Sequence, residues 1–141
     1  MLLPVSQFLW PVRVYYEDTD SGGVVYYANY LKFMERARTE WLRSLGFEQD
    51  ELSRAKGVLF VVRSIALEYH RPARFNELLQ IRSRIIEARG VSLTFGQEVL
   101  NTQAAEELLC FGRIKVVCVD VDTFKPRPIP QVVLTEIVGG N

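Results

Sequence analysis

Three acidic residues and two glycines stand directly before the most strongly patterned helical segment of this 141-residue sequence. Glu17, Asp18 and Asp20 are followed by Gly22 and Gly23. The N-terminus of a helix presents unpaired backbone N–H groups and a partial positive charge, which favour a substrate oxygen that gains negative charge during a reaction. A carboxylate beside it could attack the substrate or activate water. An ordinary Asp/Gly turn at a solvated edge would carry the same residues, so the pattern alone leaves both interpretations open.

Other kinds of active site find little support in the sequence. His70 is the single histidine, and Ser21 lies in no Gly-x-Ser-x-Gly elbow. Cys110 and Cys118 form no Cys-x-x-Cys pair, and we expect both to be reduced core residues. Glu35 could lie behind an active site or on a solvated helix face. The two adjacent glycines are too few for a nucleotide-binding fingerprint, so we predict no metal site and no cofactor.

Basic residues border the ends of predicted strands. Arg89 lies in a short connection, and Lys125 and Arg127 belong to a proline-rich segment. Such side chains could hold the phosphates of a ligand, or they could be solvated loop charges. Residue types alone do not choose between the two.

Composition limits the class of protein. With 141 residues, 48% of them hydrophobic, we predict a single domain over residues 1–141 with one core. Lys+Arg and Asp+Glu are equal at 17 each, without a dense basic block, so no nucleic-acid partner is expected. Residues 1–4 lack the features of a leader and no apolar run is long enough to span a membrane. We therefore expect a cytoplasmic protein.

Hydrophobic periodicity predicts one helix and a long antiparallel sheet. Apolar residues recur at helical spacing over 30–45, and Gly46 follows as a stop signal. The predicted strands are 12–16, 59–70, 77–88, 91–101 and 108–121. Short connections, including 71–73, favour antiparallel neighbours over helical crossovers. The expected fold class is α+β, with a curved antiparallel sheet wrapped around the one long helix. We expect the proline-rich segment 124–130 to end the last strand, and the end 138–141 to be frayed.

A family resemblance covers nearly the whole chain. Residues 15–27, with the motif Asp-x-Asp-x-x-Gly, and residues 30–40 closely resemble the hydroxybenzoyl-CoA thioesterase family of hotdog proteins, and within it the Tol-Pal-associated acyl-CoA thioesterases of bacteria. The likeness continues through 60–63, 72–74, 89–93, 117–120 and 125–127. The resemblance implies a hotdog fold, in agreement with the pattern, and an acyl-CoA thioesterase activity.

Site residues follow from the resemblance one by one. It makes Asp20 the catalytic aspartate, and it assigns the backbone N–H that polarises the thioester carbonyl to Tyr27 or its neighbour. Gly23 would allow close approach of the substrate. Some close relatives have histidine where this chain has Tyr27, so no side-chain role is carried over there.

The resemblance also implies partners. Arg89, Lys125 and Arg127 carry over weakly as contacts of the CoA moiety, because in the family these contacts come from strand ends and from a neighbouring subunit. A homo-oligomer is expected, at least a dimer and by family likeness a tetramer. The substrate is expected to be carried by CoA or by an acyl-carrier protein. A peripheral position at the inner membrane is an alternative location. Two rival functions are a scaffold of envelope or phospholipid-synthesis machinery and a hotdog dehydratase. The dehydratase is disfavoured because it needs a histidine near the helix entrance, whereas His70 lies on a predicted strand.

Overall fold

The computed structural model describes residues 6–139. In chain order the elements are β1 (Gln7–Arg13), α1 (Asn29–Ser44), α2 (Gln49–Lys56), β2 (Val58–Tyr69), β3 (Leu78–Arg89), β4 (Ser92–Asn101), β5 (Glu107–Asp120) and α3 (Gln131–Gly139). The expectations for residues 1–4 and 140–141 lie outside the described residues. Within residues 6–139, no helix has both the length and the apolar character that a membrane span requires.

The long central helix is confirmed within one residue at each end. Its buried face holds the residues that gave the periodic signal, together with two that widen it: Tyr30, Phe33, Met34, Ala37, Trp41 and Leu42. The helix lies close against the sheet at Gly112 on β5, where an added Cβ would stand 2.9 Å from the Sδ atom of Met34 and 2.7 Å from Leu67 Cδ2. A side chain at Gly112 would require these neighbouring side chains to shift.

The five strands form one antiparallel sheet in the order β1-β3-β4-β5-β2. The predicted succession of β3, β4 and β5 as neighbours is confirmed. The expectation that β2 and β3 are neighbours is wrong, because β2 pairs with β5 at the opposite edge. The connection 70–77 crosses three interstrand spacings, roughly 14 Å, which eight extended residues can bridge. This crossing passes the N-terminal end of α1.

Three local predictions need correction. The first strand is Gln7–Arg13 rather than 12–16, since an edge strand tolerates Pro11, and Tyr16–Asp18 forms a 3₁₀ turn. Helix α2 occupies a segment that looked like a polar connection, because Leu52 is its only buried residue. Helix α3 follows the proline-rich segment, so residues 138 and 139 are helical rather than frayed. The proline-rich segment itself follows the end of β5, as predicted.

The two cysteines are core residues of β5. Cys110 and Cys118 are both buried and form no disulfide, as predicted. Burial raises the pKa of the Cys110 thiol to about 12. Because only a thiolate is an effective nucleophile, neither residue is a candidate for covalent catalysis.

Candidate active site

The Asp20 loop is a tight turn closed by three hydrogen bonds. Asp20 N–H donates to the carbonyl of Val24 at 2.9 Å, and Gly23 N–H donates to the carbonyl of Asp20 at 3.0 Å. Gly22 N–H donates to Asp20 Oδ1 at 2.8 Å. Gly23 adopts a φ of +79°, which explains the glycine there, and an added Cβ would meet nothing within 4 Å. The loop therefore holds the Asp20 carboxylate by one oxygen and leaves open space at Gly23.

Two buried hydrogen bonds that involve Ala73 tie this loop to α1. Val25 N–H donates to the carbonyl of Ala73 at 2.8 Å, and Ala73 N–H donates to the hydroxyl of Tyr30 at 3.0 Å. Tyr30 belongs to the first turn of α1, and Ala73 lies in the crossing segment 70–77. The position of Asp20 relative to the helix thus depends on the long-range path of the chain.

Within the described residues, the turn that enters α1 contains two amides without a protein acceptor. Asn29 N–H donates to the carbonyl of Tyr26 at 2.8 Å, which closes a turn over Tyr27 and Ala28. Among residues 6–139, the N–H groups of Tyr27 and Ala28 donate to no protein acceptor. The side-chain amide of Asn29 donates to the carbonyl of Asp18 at 2.9 Å, which joins the acidic segment to the helix entrance. A developing negative charge here would meet free N–H groups and the positive end of the helix dipole.

Two tyrosines that the sequence analysis did not single out for the site support this entrance. Tyr69 donates its hydroxyl to the carbonyl of Tyr27 at 3.0 Å, and Tyr30 accepts the Ala73 N–H. Tyr30 belongs to the apolar residues that predict α1 and to the resembling segment 30–40, and neither pattern indicates a role for its hydroxyl. Tyr69 ends strand β2 beside His70, and no motif in the sequence distinguishes it. His70 itself is half-exposed, with its Nε2 atom 3.7 Å from Glu68, as expected of a surface histidine.

The three basic candidates lie together at one end of the sheet. The carbonyl of Gly90, beside Arg89, accepts the N–H of Ile129, which joins the β3–β4 turn to the segment that carries Lys125 and Arg127. Arg89 pairs with Glu87 at 2.8 Å. Arg127 Nη1 donates to Asp120 at 3.2 Å and to the Gly57 carbonyl at 3.2 Å. Among the described residues, only Lys125 of the three has a side chain without an acidic partner.

This basic end is far from Asp20 within one chain. Gly57 precedes the first residue of β2, whereas Tyr69 at the other end of that strand contacts Tyr27. Twelve residues of strand separate the two ends by roughly 36 Å. The cavity of about 100 Å³ between α1 and the sheet, which Arg38 and Phe95 help to line, does not include Asp20 either. The structure does not bring the predicted CoA contacts and the predicted catalytic residue together in a single protomer.

Comparison with known proteins identifies the family. The model of the thioesterase-like superfamily matches residues 14–137. The chain is 50% identical over 129 residues to the acyl-CoA thioester hydrolase YbgC of Escherichia coli O6:H1. This alignment covers 92% of this chain and 94% of the relative. A probable thioesterase from Bartonella henselae has a TM-score of 0.83 at 35% identity, over 89% of this chain and 100% of that one. The 1,4-dihydroxy-2-naphthoyl-CoA thioesterase Slr0204 from Synechocystis, at 23% identity, shares the fold with a TM-score of 0.87 over 94% and 96% of the two chains. The chain therefore belongs to the thioesterase-like superfamily, and its antiparallel sheet around one long helix is the hotdog fold.

Proposed function

We propose that this protein hydrolyses acyl-CoA thioesters, with Asp20 acting on the thioester carbonyl. The proposal is carried by two features of the helix entrance: the Asp20 carboxylate, held by Gly22 N–H at 2.8 Å, and the unpaired amides of Tyr27 and Ala28. Both lie on segments tied to one another through Ala73. Half of the aligned residues are shared with a relative named an acyl-CoA thioester hydrolase, which gives the substrate class.

The developing oxyanion would be stabilised at the start of α1. As the carbonyl carbon becomes tetrahedral, its oxygen gains negative charge, and the Tyr27 N–H can donate to it without any reorganisation of the chain. The open space at Gly23 lets the substrate come near the backbone. The Gly23 N–H is already bound to the Asp20 carbonyl, so Gly23 acts through the shape of its turn rather than as a donor.

Two chemical routes fit Asp20. In the first, a carboxylate oxygen attacks the carbonyl carbon, the C–S bond breaks, the CoA thiolate leaves and takes up a proton, and water then hydrolyses the mixed anhydride to regenerate the carboxylate. In the second, Asp20 takes a proton from water, the resulting hydroxide attacks the carbonyl carbon, the C–S bond breaks, and the leaving CoA thiolate takes up the proton from Asp20. Incorporation of ¹⁸O into Asp20 during a single turnover in H₂¹⁸O would establish the first route, because only hydrolysis of the anhydride at the Asp20 carbonyl carbon places ¹⁸O in the enzyme.

The separation of Asp20 from the basic end supports a site shared between protomers. Strand β2 is an edge of the sheet, and a two-fold axis that pairs β2 with its own copy makes the two strands antiparallel. The Val58 end of one protomer then lies beside the Tyr69 end of its partner. In such a homodimer, Lys125 and Arg89 of one chain approach the Asp20 site of the other and can meet the CoA phosphates, while Arg127 holds Asp120 and the start of β2.

Replacing Asp20 tests the proposed chemistry. Asp20→Asn keeps the volume but removes the base and nucleophile, so turnover of acyl-CoA, followed by thiol release, should fall by roughly 100-fold or more. Asp18→Asn is the matched control, because the Asp18 carboxylate caps its own turn by accepting Tyr15 N–H at 2.8 Å. Folded Asp20→Asn with near-normal turnover would refute the assignment. Release of thiol from acyl-carrier protein but from no acyl-CoA would change the carrier and leave the role of Asp20 standing.

A further inference from the structure

Tyr69, the last residue of β2, contacts the start of α1 through its hydroxyl. The Tyr69 hydroxyl donates to the carbonyl of Tyr27 at 3.0 Å. Its ring also meets two others edge-on, with centroids 6.5 Å from the Tyr27 ring and 5.6 Å from the Tyr30 ring. Edge-to-face pairs at these separations are favourable. Contacts with the rings of Tyr27 and Tyr30 therefore hold the Tyr69 ring at the helix entrance, where its hydroxyl binds the Tyr27 carbonyl.

The carbonyl that Tyr69 binds belongs to the central peptide of the helix-entry turn. Asn29 N–H donates to the Tyr26 carbonyl at 2.8 Å and so closes the turn, but the peptide between Tyr27 and Ala28 takes no part in that bond. Within residues 6–139, the Tyr69 hydroxyl is the one donor that reaches the Tyr27 carbonyl. A trans peptide is planar, with its C=O and N–H pointing in opposite directions. Whatever fixes this carbonyl consequently fixes the direction of the Ala28 N–H.

We propose that Tyr69 is a positioning residue that holds the Ala28 N–H as a second donor to the oxyanion, beside the Tyr27 N–H. The inference rests on the proposed hydrolysis at Asp20. A hydrogen bond accepted by a peptide carbonyl polarises the peptide and makes its N–H a stronger donor. The donor is thereby oriented before the reaction begins, which is the condition under which such groups stabilise charge best.

The protonation of Tyr69 is compatible with this role. Burial, with smaller effects of Cys110 and Tyr27, raises the pKa of Tyr69 above its ordinary value. The phenol consequently remains a donor at neutral and moderately alkaline pH. Tyr69 is 50% exposed, so its contribution to the fold is small and its removal should leave the chain folded.

Tyr69→Phe removes the hydroxyl and keeps the ring. We expect kcat to fall about tenfold with KM within twofold, since the interaction strengthens only as charge develops in the transition state. Tyr15→Phe is the matched control: it also removes a phenol from an exposed tyrosine of the same region, and the Tyr15 hydroxyl has no partner among the described residues. Its kcat and KM should equal those of the wild type.

A second measurement addresses the peptide itself. In the protein labelled with ¹⁵N-alanine, Tyr69→Phe should shift the amide resonance of Ala28, because its own peptide carbonyl loses the hydrogen bond. The resonances of Ala55 on α2 and Ala88 on β3 should stay in place, and Tyr15→Phe should move none of the three. If Tyr69 only stabilised the fold, Tyr69→Phe would not combine a shift of the Ala28 amide resonance with a fall in kcat at unchanged KM.

Several outcomes would overturn the inference. An unchanged kcat in Tyr69→Phe, or an unmoved Ala28 resonance, would show that the bond does not support the donor. A rise in KM at constant kcat would make Tyr69 a substrate contact instead. If Asp20→Asn is inactive while Tyr69→Phe is fully active, only this inference fails. If the wild-type protein releases no thiol from any acyl thioester, the proposed function is what fails.

Discussion

Removing the hydroxyl of Tyr30 should destabilise the protein measurably, although only one atom is lost. Tyr30 is 3% exposed and Ala73 is 0% exposed, and the Tyr30 hydroxyl accepts the Ala73 N–H at 3.0 Å. In Tyr30→Phe the ring remains packed against Phe33, but the buried N–H loses its acceptor where water cannot replace it. Leaving a buried donor unsatisfied costs about 1–3 kcal/mol.

Thermal unfolding measures this loss. For a chain of this size the midpoint should fall by roughly 3 to 12 °C, at equal protein concentration because association shifts the midpoint. Tyr69→Phe is the matched control: its hydroxyl bonds to a carbonyl at the surface, where water takes its place, so its midpoint should stay near that of the wild type. The carbonyl of Ala73 accepts the Val25 N–H. Because loss of the Tyr30 hydroxyl loosens Ala73, hydrogen exchange at the Val25 amide should also become faster in Tyr30→Phe.

One result would refute this reasoning. If Tyr30→Phe melts with the wild type and its Val25 amide exchanges at the wild-type rate, then the bond to Ala73 does not hold the crossing segment. The Asp20 loop would then have to be positioned by its own turn alone.

Two further predictions concern the basic end of the sheet. Lys125→Ala should raise KM for acyl-CoA with little change in kcat and should leave hydrolysis of a short acyl-pantetheine unaffected, because only CoA carries the nucleotide phosphates; equal losses on both substrates would make Lys125 structural. The N–H groups of Thr123 and Asp122, and to a smaller extent Arg127, hold the pKa of Asp120 below its ordinary value. The Asp120 carboxylate therefore stabilises the fold fully above its unfolded pKa of about 4, and this stabilisation is lost as pH falls through its lower folded pKa. Asp120→Asn should therefore melt below the wild type at pH 7, with the difference closing towards pH 3, and a difference independent of pH would exclude the charge as its cause.

Local patterns were sufficient for the central parts of the fold. The helical spacing of Tyr30, Met34, Ala37 and Trp41 predicts α1 because those residues must share one buried face. The acid-glycine segment before α1 marks the candidate site, since a tight turn at a helix entrance requires a residue such as Gly23 that accepts positive φ. Short elements with few buried residues escaped detection, as α2 with its one buried leucine shows.

Tertiary structure alone decided how the site is assembled. The local sequence does not show that β2 pairs with β5 rather than with β3, because long-range packing and not the residues of one segment decides which strands pair. Because β2 pairs with β5, the crossing segment passes the helix entrance. Ala73 thereby bonds to Tyr30 across 43 residues of sequence, and Tyr69 bonds to Tyr27 across 42. This pairing also places Lys125 at the opposite end of the sheet from Asp20. Residue types and local patterns indicate which side chains are chemically suited to a site. The path of the chain decides which of them meet within one protomer, since contacts between distant residues exist only after the sheet has formed.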